Sequence, residues 1–267
     1  MTTILGLDTA SIADPKPIDW RKVYAAGYRF AIHRATWGAY HDPEYPREAP
    51  AARAAGLVVG AYCLIRWTEP ITPQLEAVRS LVVEEADFCP VIDVEFGKGG
   101  RLATKLSGAA CVDRVLAMCG AGEDAHGGTA GIYSSRQQWV GAGLPAVPEL
   151  ATRWLWLASH EGGPAPEPPG WDLGSLWVEQ VAYNVRGVPG VKGLIDRDEY
   201  RVMRRGERSG RVAWVQVRVG AGADGIFGPA TEVALKRWQK RTGIEATGEV
   251  GIVDFARLTR VAPGWED

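Results

Sequence analysis

The sequence predicts an α/β protein, an irregular TIM-like β/α barrel followed by a second, small all-α domain of three helices. Three observations support this prediction: short apolar runs alternate with helical or Gly/Ala-rich segments, about eight such runs occur, and the composition changes after Tyr200. Alternating strands and helices favour a parallel sheet. Eight strands of nearly continuous apolar character favour closure of that sheet into a barrel.

The predicted strands are short and rich in aliphatic and aromatic residues. They cover Ile4–Asp8, Tyr28–Ala35, Leu57–Ile65, Pro90–Glu95, Ala130–Ser134, Leu155–Ser159, Leu176–Tyr183 and, more weakly, Gly193–Asp196. The predicted helices between them are Asp19–Ala26, Pro50–Ala55, Thr72–Ala86 and Ala109–Cys119. Residue types that begin and end helices stand at Asp19 and Gly27. Because long helices are missing between the later strands, we expect the barrel to be irregular.

The end of the chain is predicted to form a separate unit. A basic, polar stretch predicts a linker at 204–211 between a barrel of residues 1–203 and a domain of residues 212–267. This domain has an apolar stretch at Val212–Val219, a helix from Pro229 to Gly243 and a third helix that carries Phe255. Such a small domain fits a binding module better than an enzyme.

Composition and net charge give no indication of a nucleic-acid-binding or membrane-spanning protein. The apolar share of 46% and charged share of 23% are typical of a globular protein, and the net charge of -2 gives no reason to expect nucleic acid or an anionic membrane as a partner. No apolar run approaches the roughly 20 residues of a membrane span. The first residues lack a secretory signal, so we expect synthesis in the cytoplasm. We expect a monomer by default.

The numbers and positions of the cysteines and tryptophans indicate the roles of these residues. The four cysteines at 63, 89, 111 and 119 form no CxxC pair, which favours buried free thiols. The eleven tryptophans fill the core, stack on sugar rings, or do both.

Carboxylates close three of the predicted strands. The first strand ends in Asp8, the fourth in Asp93-Val94-Glu95 and the eighth in Asp196. In a parallel barrel these ends meet on one face, so the four carboxylates are expected in one pocket. The Cα atoms of Asp93 and Glu95 would lie about 6.6–7 Å apart on the same side of a strand. A carboxylic acid beside an ionised carboxylate is the chemistry of glycoside hydrolysis.

Other interpretations of these carboxylates are open from the residues alone. A single Asp at a strand end is often a helix cap or a turn residue. The four carboxylates together could also hold a divalent cation through oxygen ligands. No accompanying histidines or phosphate-binding loop support a metal site, so we expect neither a metal nor a cofactor.

Many blocks of residues, in order, resemble the family 25 glycoside hydrolases, the Chalaropsis-type lysozymes, between Leu5 and Tyr200. The matching blocks are Gly6–Ser11, Ile18-Asp19-Trp20, Gly60-Ala61-Tyr62, Pro90–Glu95, Ile132-Tyr133-Ser134, Trp156-Leu157-Ala158, Val188-Pro189-Gly190 and Ile195-Asp196. The chain departs from the family pattern at Trp37, at Cys63-Leu64 and at Glu179-Gln180-Val181.

The resemblance implies cleavage of the β-1,4 bond between N-acetylmuramic acid and N-acetylglucosamine in bacterial peptidoglycan. Glu95 would then be the general acid, Asp93 would orient or stabilise the reacting N-acetyl group, and Asp8 and Asp196 would complete the acidic pocket. The expected substrate contacts come from Tyr62, Tyr133, Arg34, Trp37 and Gln180. Trp37 either provides a stacking platform or has a packing role.

The tail resembles the three-helix peptidoglycan-binding domain of wall hydrolases through Asp224–Pro229, Thr231, Ala234–Lys236, Trp238-Gln239 and Thr247-Gly248. A lysozyme with such a tail resembles a phage endolysin that reaches the wall after release. The alternatives are a non-catalytic wall-carbohydrate-binding protein and a hydrolase of another N-acetylated polysaccharide such as chitin.

Overall fold

A computed structural model describes residues 2–11, 17–81, 86–96, 105–159, 166–171 and 176–261. Its largest feature is a sheet of nine strands within these residues, eight of which close into a barrel through pairing of the first two. In chain order the strands are β1 (Thr3–Thr9), β2 (Tyr28–Trp37), β3 (Tyr40–His41), β4 (Val58–Leu64), β5 (Val91–Asp93), β6 (Gly131–Ser134), β7 (Leu155–Ala158), β8 (Leu176–Val185) and β9 (Ile195–Arg201). The short β3 pairs only with β2, outside the closed barrel. The predicted fold class is confirmed.

The direction of the last strand differs from the prediction. β9 runs antiparallel to both of its neighbours, β8 and β1, while the other barrel strands run parallel. The connection at residues 186–194 is too short for the crossover that parallel neighbours require. Asp196 therefore stands at the start of β9, not at the end of a parallel strand. The start of β9 nevertheless lies on the face where the parallel strands end.

Six helices accompany the barrel in the described residues. They are α1 (Trp20–Ala25), α2 (Tyr45–Ala54), α3 (Ile71–Arg79), α4 (Gly108–His126), α5 (Arg136–Gly141) and α6 (Pro148–Ala151). Asp19 caps α1 as predicted, since its side chain accepts from the Lys22 backbone N–H. α2 begins earlier than predicted and contains Pro50. α3 ends at Arg79 instead of Ala86, and residues 82–85 lie outside the described part.

Side chains alternate between two cores along the barrel strands. Leu7, Ala31 and Ile132 belong to the outer core, which the helices cover. Phe30, Ile32 and Tyr133 belong to a second core inside the barrel. This is the period-two pattern of a strand buried on both faces.

The chain ends in three helices, α7 (Gly210–Val219), α8 (Pro229–Arg241) and α9 (Ile252–Thr259). They agree with the predicted all-α unit. Residues 204–211, predicted as a linker, have a more ordered structure. Arg208 forms a β-bridge with Ile226, and Glu207 forms an ion pair at 2.9 Å with the buried Arg211, which lies in α7. The basic residues of this stretch are therefore partly structural.

These helices pack on the end of the barrel where the parallel strands begin. Tyr200 Oη donates to the Val250 carbonyl at 3.0 Å, and the Thr129 N–H donates to the Thr259 carbonyl at 2.6 Å. The Phe255 ring contacts Phe88 and Trp154, with centroids 6.3 and 5.1 Å away. One apolar core accordingly continues from the barrel interior into the helices.

Two other sequence predictions concern the core and the membrane. All four cysteines are free and buried, as predicted. Within the described residues, no helix combines the length and the apolar character that crossing a membrane requires.

Candidate active site

The Asp-x-Glu segment stands where β5 ends. Asp93 is the last residue of β5, in register with Leu64 and Tyr133, and its side chain is buried. Glu95 is exposed. Its backbone is held in place because Trp67 Nε1 donates to the Glu95 carbonyl at 2.6 Å. The two carboxylates thus occupy different environments only two residues apart.

Two further carboxylates come from β1 and β9. Asp8 and Asp196 are paired across these strands. Asp8 is buried, and its Oδ2 accepts a hydrogen bond from Gln180 Nε2 at 2.7 Å. Asp196 is partly buried, and its Oδ1 accepts from the Asn184 N–H at 2.6 Å. The charge of Asp8 acts on Asp93, and the charge of Asp196 acts on Asp8.

Burial and mutual repulsion control the protonation of this pocket. Burial, followed by the charge of Asp196, raises the pKa of Asp8 to about 8. Burial, followed by the charges of Glu95 and Asp8, raises the pKa of Asp93 well above its ordinary value. Like-charged groups in a dry pocket disfavour joint ionisation. The arrangement therefore retains protons near neutral pH.

Aromatic side chains line the pocket beside the carboxylates. The Tyr62 and Tyr133 rings lie 5.9 and 4.6 Å from the Trp156 ring, measured between centroids. Tyr133 Oη donates to Gln180 Oε1 at 2.8 Å. The charges of Asp8, Asp93 and Glu95 all act on both tyrosines. The structure thus brings Tyr62, Tyr133 and Gln180 together with the predicted catalytic group.

Arg34 and Trp37 occupy different positions at the end of β2. Arg34 is buried; its Nε donates to Asp42 Oδ2 at 2.8 Å and its Nη2 to Ser11 Oγ at 2.9 Å. Its positive charge opposes the rise in the pKa of Asp93. Trp37 is 39% exposed, and the Arg66 guanidinium lies 4.4 Å from its ring centroid. Arg34 thus acts within the pocket, and the partly exposed Trp37 ring lies 5.9 Å from the Arg34 guanidinium.

Comparison with known families agrees with this geometry. Residues 13–187, more than half of the chain, match the model described as glycosyl hydrolases family 25. The chain belongs to glycosyl hydrolase family 25. Residues 217–258 of this family 25 hydrolase also match the model of a peptidoglycan binding domain. Among curated proteins, none matches by sequence.

Solved structures share the fold of this family 25 hydrolase. A lysozyme from Streptomyces coelicolor is 22% identical with a TM-score of 0.66, and the match covers 75% of this chain and 93% of that one. A muramidase from Trichobolus zukalii is 23% identical with a TM-score of 0.61, covering 74% and 93%. A family 25 glycosyl hydrolase from Bacillus anthracis is 23% identical with a TM-score of 0.59, covering 74% and 88%.

The sequence prediction missed one carboxylate of the pocket. Asp198 lies two residues after Asp196 on β9, is fully buried, and accepts from Trp156 Nε1 at 2.8 Å. Strand alternation puts Asp196 and Asp198 on the same face, and that spacing was the available signal. The predicted strand ended at Asp196, so this alternation was not followed further.

The arrangement of the side chains bears on the divalent-cation interpretation. Within the described residues, no group of three or more His, Cys, Asp or Glu side chains is arranged to hold a metal ion. Three carboxylates of the pocket, Asp8, Asp198 and Asp196, instead accept hydrogen bonds from Gln180, Trp156 and the Asn184 backbone.

Proposed function

We propose that this family 25 hydrolase is an N-acetylmuramidase that cleaves the β-1,4 bond between N-acetylmuramic acid and N-acetylglucosamine in peptidoglycan. One observation carries the proposal. The β5 end presents one exposed carboxyl, Glu95, beside one buried carboxyl, Asp93, in a pocket lined by tyrosines. Two carboxyl groups in unlike environments are what glycoside hydrolysis requires.

Glu95 is the group proposed to protonate the leaving oxygen. Its side chain is exposed, so a bound glycan can bring its bridging oxygen within reach. In its acid form Glu95 donates its proton to that oxygen while the C1–O bond breaks. The resulting carboxylate then takes a proton from the water that completes hydrolysis.

Asp93 is proposed to act on the N-acetyl group next to the breaking bond. Its Oδ1 is buried, and no hydrogen-bond donor or acceptor among the described residues pairs with it. A buried polar atom left unpaired is costly, so a substrate amide at this position would be favoured. Asp93 would orient this amide whether the acetamido oxygen or a water molecule attacks C1.

The C-terminal helices support peptidoglycan as the substrate. They match a peptidoglycan binding domain, and adhesion of such a domain to an insoluble wall raises the local concentration of the enzyme. The solved relatives described as lysozyme and muramidase point to the same substrate class. Release from a host cytoplasm as an endolysin stays a prediction from the sequence.

Identifying the bond that is cleaved tests the proposal. Purified peptidoglycan would be digested, reduced with borohydride and analysed by mass spectrometry. We expect reduced muramic acid at the new chain ends, with equal yield in the presence of a chelator. Reduced glucosamine ends, free peptides or cleavage of chitin alone would overturn the muramidase assignment. Loss of activity in the chelator would favour a metal-dependent reaction, and wall binding without any cleavage would favour a non-catalytic binder.

A further inference from the structure

A second pair of carboxyl groups lies in the pocket, beside the pair on β5. Asp198 on β9 and Asp8 on β1 are both buried, with 0% and 7% of their surface exposed. Pairing of Asp8 with Asp196 and of Gly6 with Asp198 puts the Asp8 and Asp198 side chains on the same face of adjacent strands, where their carboxyl groups interact through a hydrogen bond. Because carboxylates carry no hydrogen-bond donor, a hydrogen bond between them requires a proton on one of the two.

The contacts of Asp198 indicate which carboxyl holds that proton. Trp156 Nε1 donates to its Oδ1 at 2.8 Å. Its Oδ2 is buried, and no N–H or O–H group of the described residues donates to it. Asp198 is also the more deeply buried of the two carboxyls, so its ionised form is the costlier one in this dry site. A neutral Asp198 therefore donates to Asp8.

The contacts of Asp8 suit the accepting role. Its Oδ2 already accepts from Gln180 Nε2 at 2.7 Å, and Gln180 Oε1 in turn accepts from Tyr133 Oη at 2.8 Å. One buried network therefore runs from Trp156 through Asp198, Asp8 and Gln180 to Tyr133. Tyr133 is the residue paired with Asp93 across β5 and β6, so the network ends beside the Asp-x-Glu segment.

The surrounding charges also favour a neutral Asp198. The charged and titratable groups that interact with this pair are Asp196 on β9, Asp93 at the end of β5 and Glu95 after it, Tyr62 on β4 and Tyr133 on β6. The cation Arg34 acts on Asp93 and Tyr62, and it is itself paired with Asp42 at 2.7 Å. Burial, followed by the charge of Asp8, raises the pKa of Asp198 well above its ordinary value. A neutral carboxylic acid that serves as a hydrogen-bond donor has precedent in enzyme sites.

We propose that Asp198 is a positioning residue that stays neutral, donates a hydrogen bond to Asp8 and thereby holds Asp8 and Gln180 against the catalytic face. The proposal rests on the proposed glycan hydrolysis. Asp198 itself contacts Trp156 and Asp8, whereas the reacting atoms are expected beside Asp93 and Glu95.

Two substitutions at Asp198 separate positioning from charge. Asp198→Asn keeps a neutral side chain that can donate to Asp8 and accept from Trp156, so most of the kcat should be retained with the same pH profile. Asp198→Ala removes both contacts, and we expect kcat to fall by about 100-fold with little change in KM, as for a misplaced catalytic group. In Asp198→Ala the limb of the pH profile set by Asp8 should move to higher pH, because the donor that favours its anion is gone.

Several results would overturn this role. Equal loss of kcat in both variants would mean that Asp198 works as an anion. Normal kcat and an unshifted pH profile in Asp198→Ala would mean that Asp198 positions nothing. If Asp198→Ala does not fold, Trp156→Phe removes the other contact, and an unchanged kcat and pH profile there would equally contradict the network.

An infrared measurement separates this inference from the proposed function. The difference spectrum between the wild-type protein and Asp198→Asn, near neutral pH, should show the carbonyl band of a buried neutral carboxyl group in the wild type. If the protein shows this band but cleaves no glycan, the proposed function is wrong and the protonation of Asp198 is still supported. A carboxylate band in its place would refute the protonation whatever the activity.

Discussion

The Phe255 ring, on α9, stacks on the Trp177 ring, on the barrel strand β8, with centroids 4.5 Å apart and planes inclined by 20°. Both side chains are almost completely buried. Stacked aromatic pairs stabilise by more than the area they bury. Because this contact lies at the end of the barrel opposite to Glu95, the C-terminal helices and the candidate active site lie at opposite ends of the barrel.

Removal of the Phe255 ring should destabilise the whole chain. We expect Phe255→Ala to lower the free energy of unfolding by about 3–5 kcal/mol, because a large buried ring leaves a cavity between barrel and helices. Urea unfolding, followed by both tryptophan fluorescence and circular dichroism, measures this. Val253→Ala is the control, since Val253 lies on the same helix and is 44% exposed. A wild-type protein whose barrel and helices unfold in two separate transitions would contradict a shared core.

The exposed ring of Trp37 should contribute to glycan binding and little to stability. We expect Trp37→Ala to weaken binding of soluble peptidoglycan fragments by about 0.5–2 kcal/mol, the size of a lost stacking or cation–π contact in a partly desolvated site. Isothermal titration with the inactive Glu95→Gln background measures this binding. Tyr24→Ala is a matched control, since Tyr24 is 38% exposed and carries Arg29 at 4.2 Å, on α1. Equal binding by both variants would assign Trp37 to packing.

The raised pKa of Asp8 should appear in the pH dependence of stability. An acid whose folded-state pKa lies above its unfolded value contributes its stability at low pH and loses it as pH rises. For Asp8 this loss should fall between about pH 4 and pH 8, since burial moves its pKa from 3.8 to about 8. Asp8→Asn lacks this titration, so its Tm relative to the wild-type protein should increase across that window.

Thermal unfolding of both proteins at a series of pH values measures this difference. The comparison cancels other buried groups, such as His33, whose pKa burial lowers to about 4 and which acts in the opposite direction. A difference in Tm that stays constant with pH would show that Asp8 titrates normally.

The sequence was sufficient to predict the barrel because its parallel strands are apolar on both faces. The full length of strand β9 was harder to predict, because Arg197, Glu199 and Arg201 interrupt its apolar character. Its direction follows from a short return from β8, which no residue pattern encodes. Asp198 was missed because the predicted strand ended at Asp196. Strand alternation from Asp196 would have placed Asp198 on the same face.

The candidate carboxylates were predicted from the residues at strand ends, but their environments were not. Burial of Asp93 and exposure of Glu95 depend on neighbours far away in the sequence, such as Tyr133 and Trp67. The docking of α9 was missed because Phe88, Trp154 and Trp177 have the residue types of an ordinary core. Only the folded chain shows that they meet Phe255.

The most direct test of the central claim compares two substrates in Glu95→Gln. With peptidoglycan, whose leaving oxygen needs a proton, we expect kcat to fall by about 10²–10⁴-fold, the usual contribution of a general acid. With an aryl glycoside of an N-acetylated oligosaccharide, whose dinitrophenolate leaves without a proton, kcat should stay close to that of the wild type. Glu149→Gln, an exposed position on α6, should match the wild type on both substrates. Equal losses on both substrates, or none on peptidoglycan, would contradict Glu95 as the acid.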